Sequence, residues 1–158
     1  MNFYLKQDGG LLKNSFTIYR EDESVAYISK GNIGGLVGLR NHLYDATGTT
    51  ELAFIKQRLG RYVFDVFVDG QIVATVRKKF FSLRSKYTVD VVDWSITGKV
   101  LFHDYTFTNA NGEQIVRVAK KAFHIADTFE ASIVDEQQNP VVVLAVILAL
   151  DAAINQTS

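Results

Sequence analysis

Seven cations gather in two short stretches. Arg77, Lys78, Lys79, Arg84 and Lys86 fall within "VRKKFFSLRSKY", and Lys120 and Lys121 within "AKKAF". Ammonium and guanidinium groups offer both charge and hydrogen-bond donors to phosphate oxygens. Phe80, Phe81 or Leu83 beside them would suit the edge of a lipid layer. Together the seven make a candidate site for an anion or a headgroup. A second reading stands beside it: Lys in a solvated hairpin protects a sheet edge from stray pairing.

Other chemistry is harder to assemble. Gly31, Gly34, Gly35 and Gly38 in "GNIGGLVG" spell neither a dinucleotide fingerprint nor a phosphate loop ending in Lys-Ser/Thr. Glycines in a strand-rich context mark bends and tight turns. His42, His103 and His124 are far apart and show no zinc-ligand spacing. There is no GxSxG elbow. Asp90 and Asp93 would face opposite sides of a strand. The chain has no cysteine, which excludes disulfides, thiolate metal sites, a Cys nucleophile and S-palmitoyl anchors. No cofactor is expected.

Length and charge bound the rest. The 158 residues suit one domain, 1–158, with a substantial core. Lys plus Arg and Asp plus Glu are 17 each. Net charge therefore predicts no nucleic-acid partner, and any anionic partner must be met by a local patch. "MNFYLKQDGG" turns polar too soon for a signal-peptide core.

The elements that must hold these residues read as strands. "SFTIY", "SVAYISK", "ELAFIKQ", "YVFDVFV", "QIVATVRKK", "KYTVDVV", "HDYTFTN", "QIVRVAKK" and "TFEASIVD" are short and rich in Val, Ile, Thr, Tyr and Phe. "EDES", "TGTT", "VDGQ", "ITGK" and "NANGE" punctuate them as turns. Strands at this spacing suggest a sandwich or a barrel. A repeat supports a meander: Asp69 to Asp93 aligns without gaps on Asn111 to Asp135, with Lys78-Lys79 over Lys120-Lys121. Each unit reads as a strand, a basic turn and a returning strand, and "ELAFIKQRLGRYVFDVFVD" is a weaker copy. Trp94 reads as a packing aromatic.

"NPVVVLAVILALDAAIN" is different. From Val141 to Ile154 a helix would rise only about 21 Å, too short for a bilayer core of roughly 30 Å. It also contains Asp151 and lacks flanking Lys or Arg. Asn139 can cap it and Pro140 fits its first turn. A helix apolar on every side must be buried on every side. With no other helix to cover it, the strands must wrap around it: a β-barrel filled by a C-terminal helix over about residues 140–155. Asp151 should then lie near the barrel mouth and reach water or a basic partner.

"SFTIYREDESVAYISKG", "KKFFSLRSKY" and the ending "DTFEASIVDEQQN…VLAVILALDA" resemble the LURP-one-related proteins of the Tubby C-terminal-like superfamily, which also includes the phospholipid scramblases. The resemblance covers nearly the whole chain, with a poorer fit from Leu36 to Gly48. It implies a mainly β fold, a roughly twelve-stranded Tubby-like barrel around a central hydrophobic helix. Tubby-type domains bind phosphoinositide headgroups through basic side chains. The segment ahead of the helix is similar to the scramblase calcium segment, with Asp127, Phe129 and Glu136 at matching positions. Ile125 replaces a further aspartate there, and calcium needs six or more oxygens. Asp127 and Glu136 are thus weak calcium candidates, and no metal site is assigned.

The expectation is a non-enzymatic, cytoplasmic binding module, peripheral to a membrane, that engages anionic phospholipid headgroups or a protein partner through a basic barrel surface. The alternatives are a structural or regulatory interaction protein without a small ligand, and a scramblase-like membrane activity. Oligomeric state is not legible.

Overall fold

The computed structural model describes residues 1–8, 14–32, 38–81, 84–120 and 128–155. Among them are twelve strands in one sheet and one long helix. The strands are β1 (Asn2–Gln7), β2 (Phe16–Tyr19), β3 (Val25–Gly31), β4 (Arg40–Tyr44), β5 (Glu51–Gln57) and β6 (Val63–Val68). They continue with β7 (Gln71–Phe81), β8 (Arg84–Asp90), β9 (Ser95–Lys99), β10 (Asp104–Thr108), β11 (Gln114–Lys120) and β12 (Thr128–Ile133). A 3-10 turn, Val100–Phe102, joins β9 to β10, and α1 spans Pro140–Asn155.

The sheet order is β8-β7-β6-β5-β4-β3-β2-β1-β12-β11-β10-β9. Consecutive strands pair antiparallel except β8 and β9, and the one non-sequential ladder joins β1 to β12. The sheet curls until its two edges, β8 and β9, nearly meet. A single bridge, Val89 to Trp94, spans that seam. Trp94 is buried there against Phe107, with ring centroids 5.4 Å apart.

Alternation fills the interior. Phe3 and Leu5, Phe64 and Val66, and Val116 and Val118 are buried, each pair two residues apart on one face of its strand. They close around α1, in which every residue from Val143 to Ala153 is buried. Both features that start the helix come from its sequence. The Asn139 side-chain oxygen accepts the Val141 N–H at 2.9 Å, and Pro140 occupies the first turn, where a missing N–H costs nothing. The mainly β barrel with a central helix is the architecture expected from the sequence.

Three strands differ from the sequence reading. β1 lies in the polar-looking N-terminus, β4 falls in the segment of poorer family fit, and β9 contains "ITGK", read there as a turn. β9 is mostly exposed, so it lacks the apolar alternation that betrays a half-buried strand. The repeats fold as the strand pairs β7–β8 and β11–β12, and the weaker copy as β5–β6. Lys78 and Lys79, expected in a turn, lie within β7, which pairs with β8 as far as Phe81 opposite Arg84.

Gly98 in β9 has φ +116°, and a Cβ there would sit 2.5 Å from the Asp104 carbonyl oxygen and 2.9 Å from the Tyr105 Cα. Both neighbours are backbone and cannot swing away. Gly98→Ala is expected to cost about 2 kcal/mol, a fall in Tm of about 4–8 °C for a chain of this size. A thermal melt with an unchanged midpoint would contradict that strain.

Candidate functional site

Because consecutive strands alternate in direction, connections alternate between the two ends of the barrel. Odd-numbered strands run towards the end where α1 stops, here called the upper end. Even-numbered strands return to the lower end, where α1 starts. This topology sorts charge along the barrel axis. At the lower end, the β2–β3 turn holds Glu21, Asp22 and Glu23 beside Arg20. The other lower connections hold Asp45, Asp69, Asp93 and the pair Asp135 and Glu136. At the upper end, Arg58 and Arg61 fill the β5–β6 turn, while Arg40, Lys79, Lys99 and Lys120 stand at or next to strand ends.

The acidic end has a structural cause. Tight turns favour Asp because its side chain bonds to backbone two residues on. The Asp22 carboxylate accepts the Ser24 hydroxyl at 2.5 Å and the Ser24 N–H at 3.0 Å, bonds that lower its pKa. Asp135 accepts the Gln138 amide and the Gln137 N–H, with the same effect. Glu136 is exposed in that turn. No group of three or more metal-ligating side chains occurs among the described residues, and Asp127 lies outside them.

The seven sequence-predicted cations do not act as one patch. Arg77 is paired with Asp90, Nε to Oδ2 at 2.6 Å. Lys78 is only 7% exposed, its ammonium lies 5.4 Å from the Tyr62 ring centroid, and burial pushes its pKa down. Lys79 and Lys86 are exposed and directly opposite each other. They sit on a two-stranded arm, since β6 pairs with β7 only from Arg77 downward. Arg84 faces Phe81 across this arm; its side chain, and Lys121 altogether, lie outside the described residues. Lys120 ends β11, separated from β8 by β9, β10 and the seam.

Two grooves on the outer wall near the upper rim bring other cations together. One, of about 520 Å³, is lined by Lys99, Phe102, Asp104, Arg117, Ala119 and Lys120. The Arg117 guanidinium is fixed by the Asp104 carboxylate and by the carbonyls of Tyr105 and Val118. Lys99 and Lys120 carry no ion pair among the described residues, so the groove has two uncommitted positive charges. The second groove, of about 490 Å³, contains Arg40, Lys56, Arg58, Leu59, Asp65 and Phe67. Asp65 is held by Arg58 through bonds of 2.8 and 2.9 Å, while Arg40 and Lys56 stand opposite each other across β4 and β5. Like charges placed directly across a ladder repel; Lys56 also faces Asp65 on β6, whose carboxylate is taken up by Arg58. Sequence reading missed Lys99, Arg117, Arg40 and Lys56.

Inside the mouth, His103 Nε2 lies 3.0 Å from Asp151 Oδ1, and the Asn155 amide donates to Oδ2 at 3.0 Å. The His103 ring stacks on Phe129 at 4.4 Å. Asp151 is buried at the mouth beside His103, a placement that fits the cost of leaving such a carboxylate alone. Its charge and the burial of Tyr105 both push the Tyr105 pKa up, burial being the larger cause. The cluster ties the end of α1 to the upper rim. No helix of 18 or more described residues is apolar enough to cross a membrane.

The LURP-one-related family profile matches residues 1–151. The chain belongs to the LURP-one-related family. "Uncharacterized protein YxjI" of Bacillus subtilis (strain 168) is 25% identical over 154 residues, covering 96% of this chain and 92% of that one. The fold is also that of the Arabidopsis thaliana protein AT5G01750 in its X-ray structure. The TM-score is 0.66 at 12% identity, over 95% of this chain and 90% of that one. This likeness shows a shared fold and carries no function.

Proposed function

We propose that this LURP-one-related chain is a binding module, not an enzyme, that holds anionic phospholipid headgroups at the upper rim of its barrel. The reading places it as a peripheral protein on a cytoplasmic membrane face. The observation that carries it is the pair of outer grooves, each with one fixed Arg–Asp pair and two uncommitted cations. In the first, Lys99 and Lys120 provide charge and Phe102 an apolar wall. Each cation held near an anionic leaflet contributes about 1 kcal/mol, fading within a Debye length. Four such charges offset the absence of any net positive charge on the chain.

Co-sedimentation with vesicles of phosphatidylserine mixed into phosphatidylcholine, against phosphatidylcholine alone, tests this at low salt. Binding is expected only to the anionic vesicles and should weaken as salt rises. Lys99→Gln with Lys120→Gln should reduce it about 30-fold, from about 2 kcal/mol for two charges. Equal absence of binding to both vesicles would overturn the headgroup reading.

A further inference from the structure

We infer that the barrel docks end-on, its upper rim against an anionic phospholipid bilayer, with Leu101 and Phe102 of the 3-10 turn entering the layer between headgroups and chains. This rests on the headgroup reading above and adds an orientation and an apolar wedge to it.

Charge sets the orientation. The acidic turns and the basic rim stand at opposite ends of α1, whose 16 residues span about 24 Å at 1.5 Å each. That separation exceeds the Debye length of about 8 Å in physiological salt. An anionic surface can therefore attract the near end without repelling the far one. Lying on its side, the barrel would bring Asp22, Asp45 or Asp135 to the same surface.

Apolar exposure sets the depth. Leu101 is 61% and Phe102 68% exposed, and Phe102 lines the groove that also contains Lys99 and Lys120. Leu59, 69% exposed, stands beside Arg58 on the same rim. The lower end also exposes Met1 and Ile72, and Val91 and Val134 stand there next to Asp90, Asp93, Asp135 and Glu136. An anionic layer repels the acidic turns of that end, and among the described residues it is the upper rim that sets exposed apolar tips beside lysines without an ion pair. Rigidity adds to it. His103 follows the turn directly, in a left-handed conformation, and is tied to Val100, Asp151 and Phe129. Leu101 and Phe102 are thus presented ready-made, with little ordering left for binding to impose.

The chain's single tryptophan allows a direct test, because Trp94 lies at the lower end. Vesicles of phosphatidylserine and phosphatidylcholine with brominated acyl chains quench indole on contact. Bound native protein is expected to keep its Trp94 emission. In Phe102→Trp, an exposed and well-tolerated site, the added emission should be quenched on binding. Leu101→Ser with Phe102→Ser should lower vesicle affinity about tenfold and leave Tm unchanged. Sedimentation with quenched Trp94, or with the Phe102→Trp emission unquenched, overturns end-on docking while the headgroup reading stands. No sedimentation with anionic vesicles overturns both.

Discussion

Ile147→Asp and Val146→Asp should each abolish the folded barrel. Both side chains are fully buried in the middle of α1, among apolar helix neighbours. Each substitution loses the burial of an aliphatic side chain, about 1.5–3 kcal/mol, and adds a buried charge without a partner, several kcal/mol more. The sum is comparable with the 5–15 kcal/mol that holds an ordinary domain together. Ile147→Val is the control, with an expected loss of about 1 kcal/mol. Near-ultraviolet circular dichroism from Trp94 and a thermal melt read the outcome. A soluble Asp variant that melts cooperatively would refute a helix that fills the barrel.

The next largest effect is expected at Arg58. Asp65 is buried on the outer wall of β6, where its Oδ1 accepts the Thr75 hydroxyl at 2.8 Å and both oxygens accept Arg58. Burial alone would raise the Asp65 pKa. The bonds from Arg58 and Thr75, with the charge of Arg58 and the more distant Arg77, outweigh it and leave the pKa below 3.8. Arg58→Ala removes the larger part of that compensation. Breaking a fully buried pair costs about 3–5 kcal/mol; the Arg58 side chain is 39% exposed, so about 2 kcal/mol is expected at pH 7.

The pH dependence has a definite sign. A carboxylate whose folded pKa is depressed adds stability that is fully present above the unfolded value, near 3.9, and disappears as pH falls through the folded one. The gap between native protein and Arg58→Ala should therefore be widest near neutrality and narrow below about pH 4. Urea unfolding at pH 7 and pH 3 measures it. An equal gap at both values would mean that Arg58 acts through packing alone.

Much of the architecture was legible before any coordinates. The apolar helix announced its own burial, because no length or charge pattern allowed it elsewhere. The twelve-strand count came from family resemblance, since β1, β4 and β9 carry weak patterns of their own. The site was less legible for a related reason. "VRKKFFSLRSKY" suggested a basic turn, yet strand alternation sends Lys78 inward and Arg77 to Asp90. Lys99 and Lys120 are 21 positions apart and meet only because β9 and β11 both flank β10. One signal was available: in an antiparallel meander, every second connection shares an end. Glu21 to Glu23, Asp45, Asp69, Asp93 and Asp135 all fall on one parity, and Arg58 and Arg61 on the other.

The position of α1 in the chain has a consequence for biosynthesis. The element that fills the barrel is made after every strand that surrounds it. At about 5–20 residues per second, the stretch from Ile133 to Asn155 takes roughly 1–5 s to make. Hydrophobic collapse takes at most about 100 μs. A nascent chain thus holds twelve strands with apolar inner faces, such as those of Leu5, Phe64 and Val118, for seconds with nothing to close upon. The β1–β12 ladder, which joins residue 2 to residue 132, cannot form until the last strand has been made.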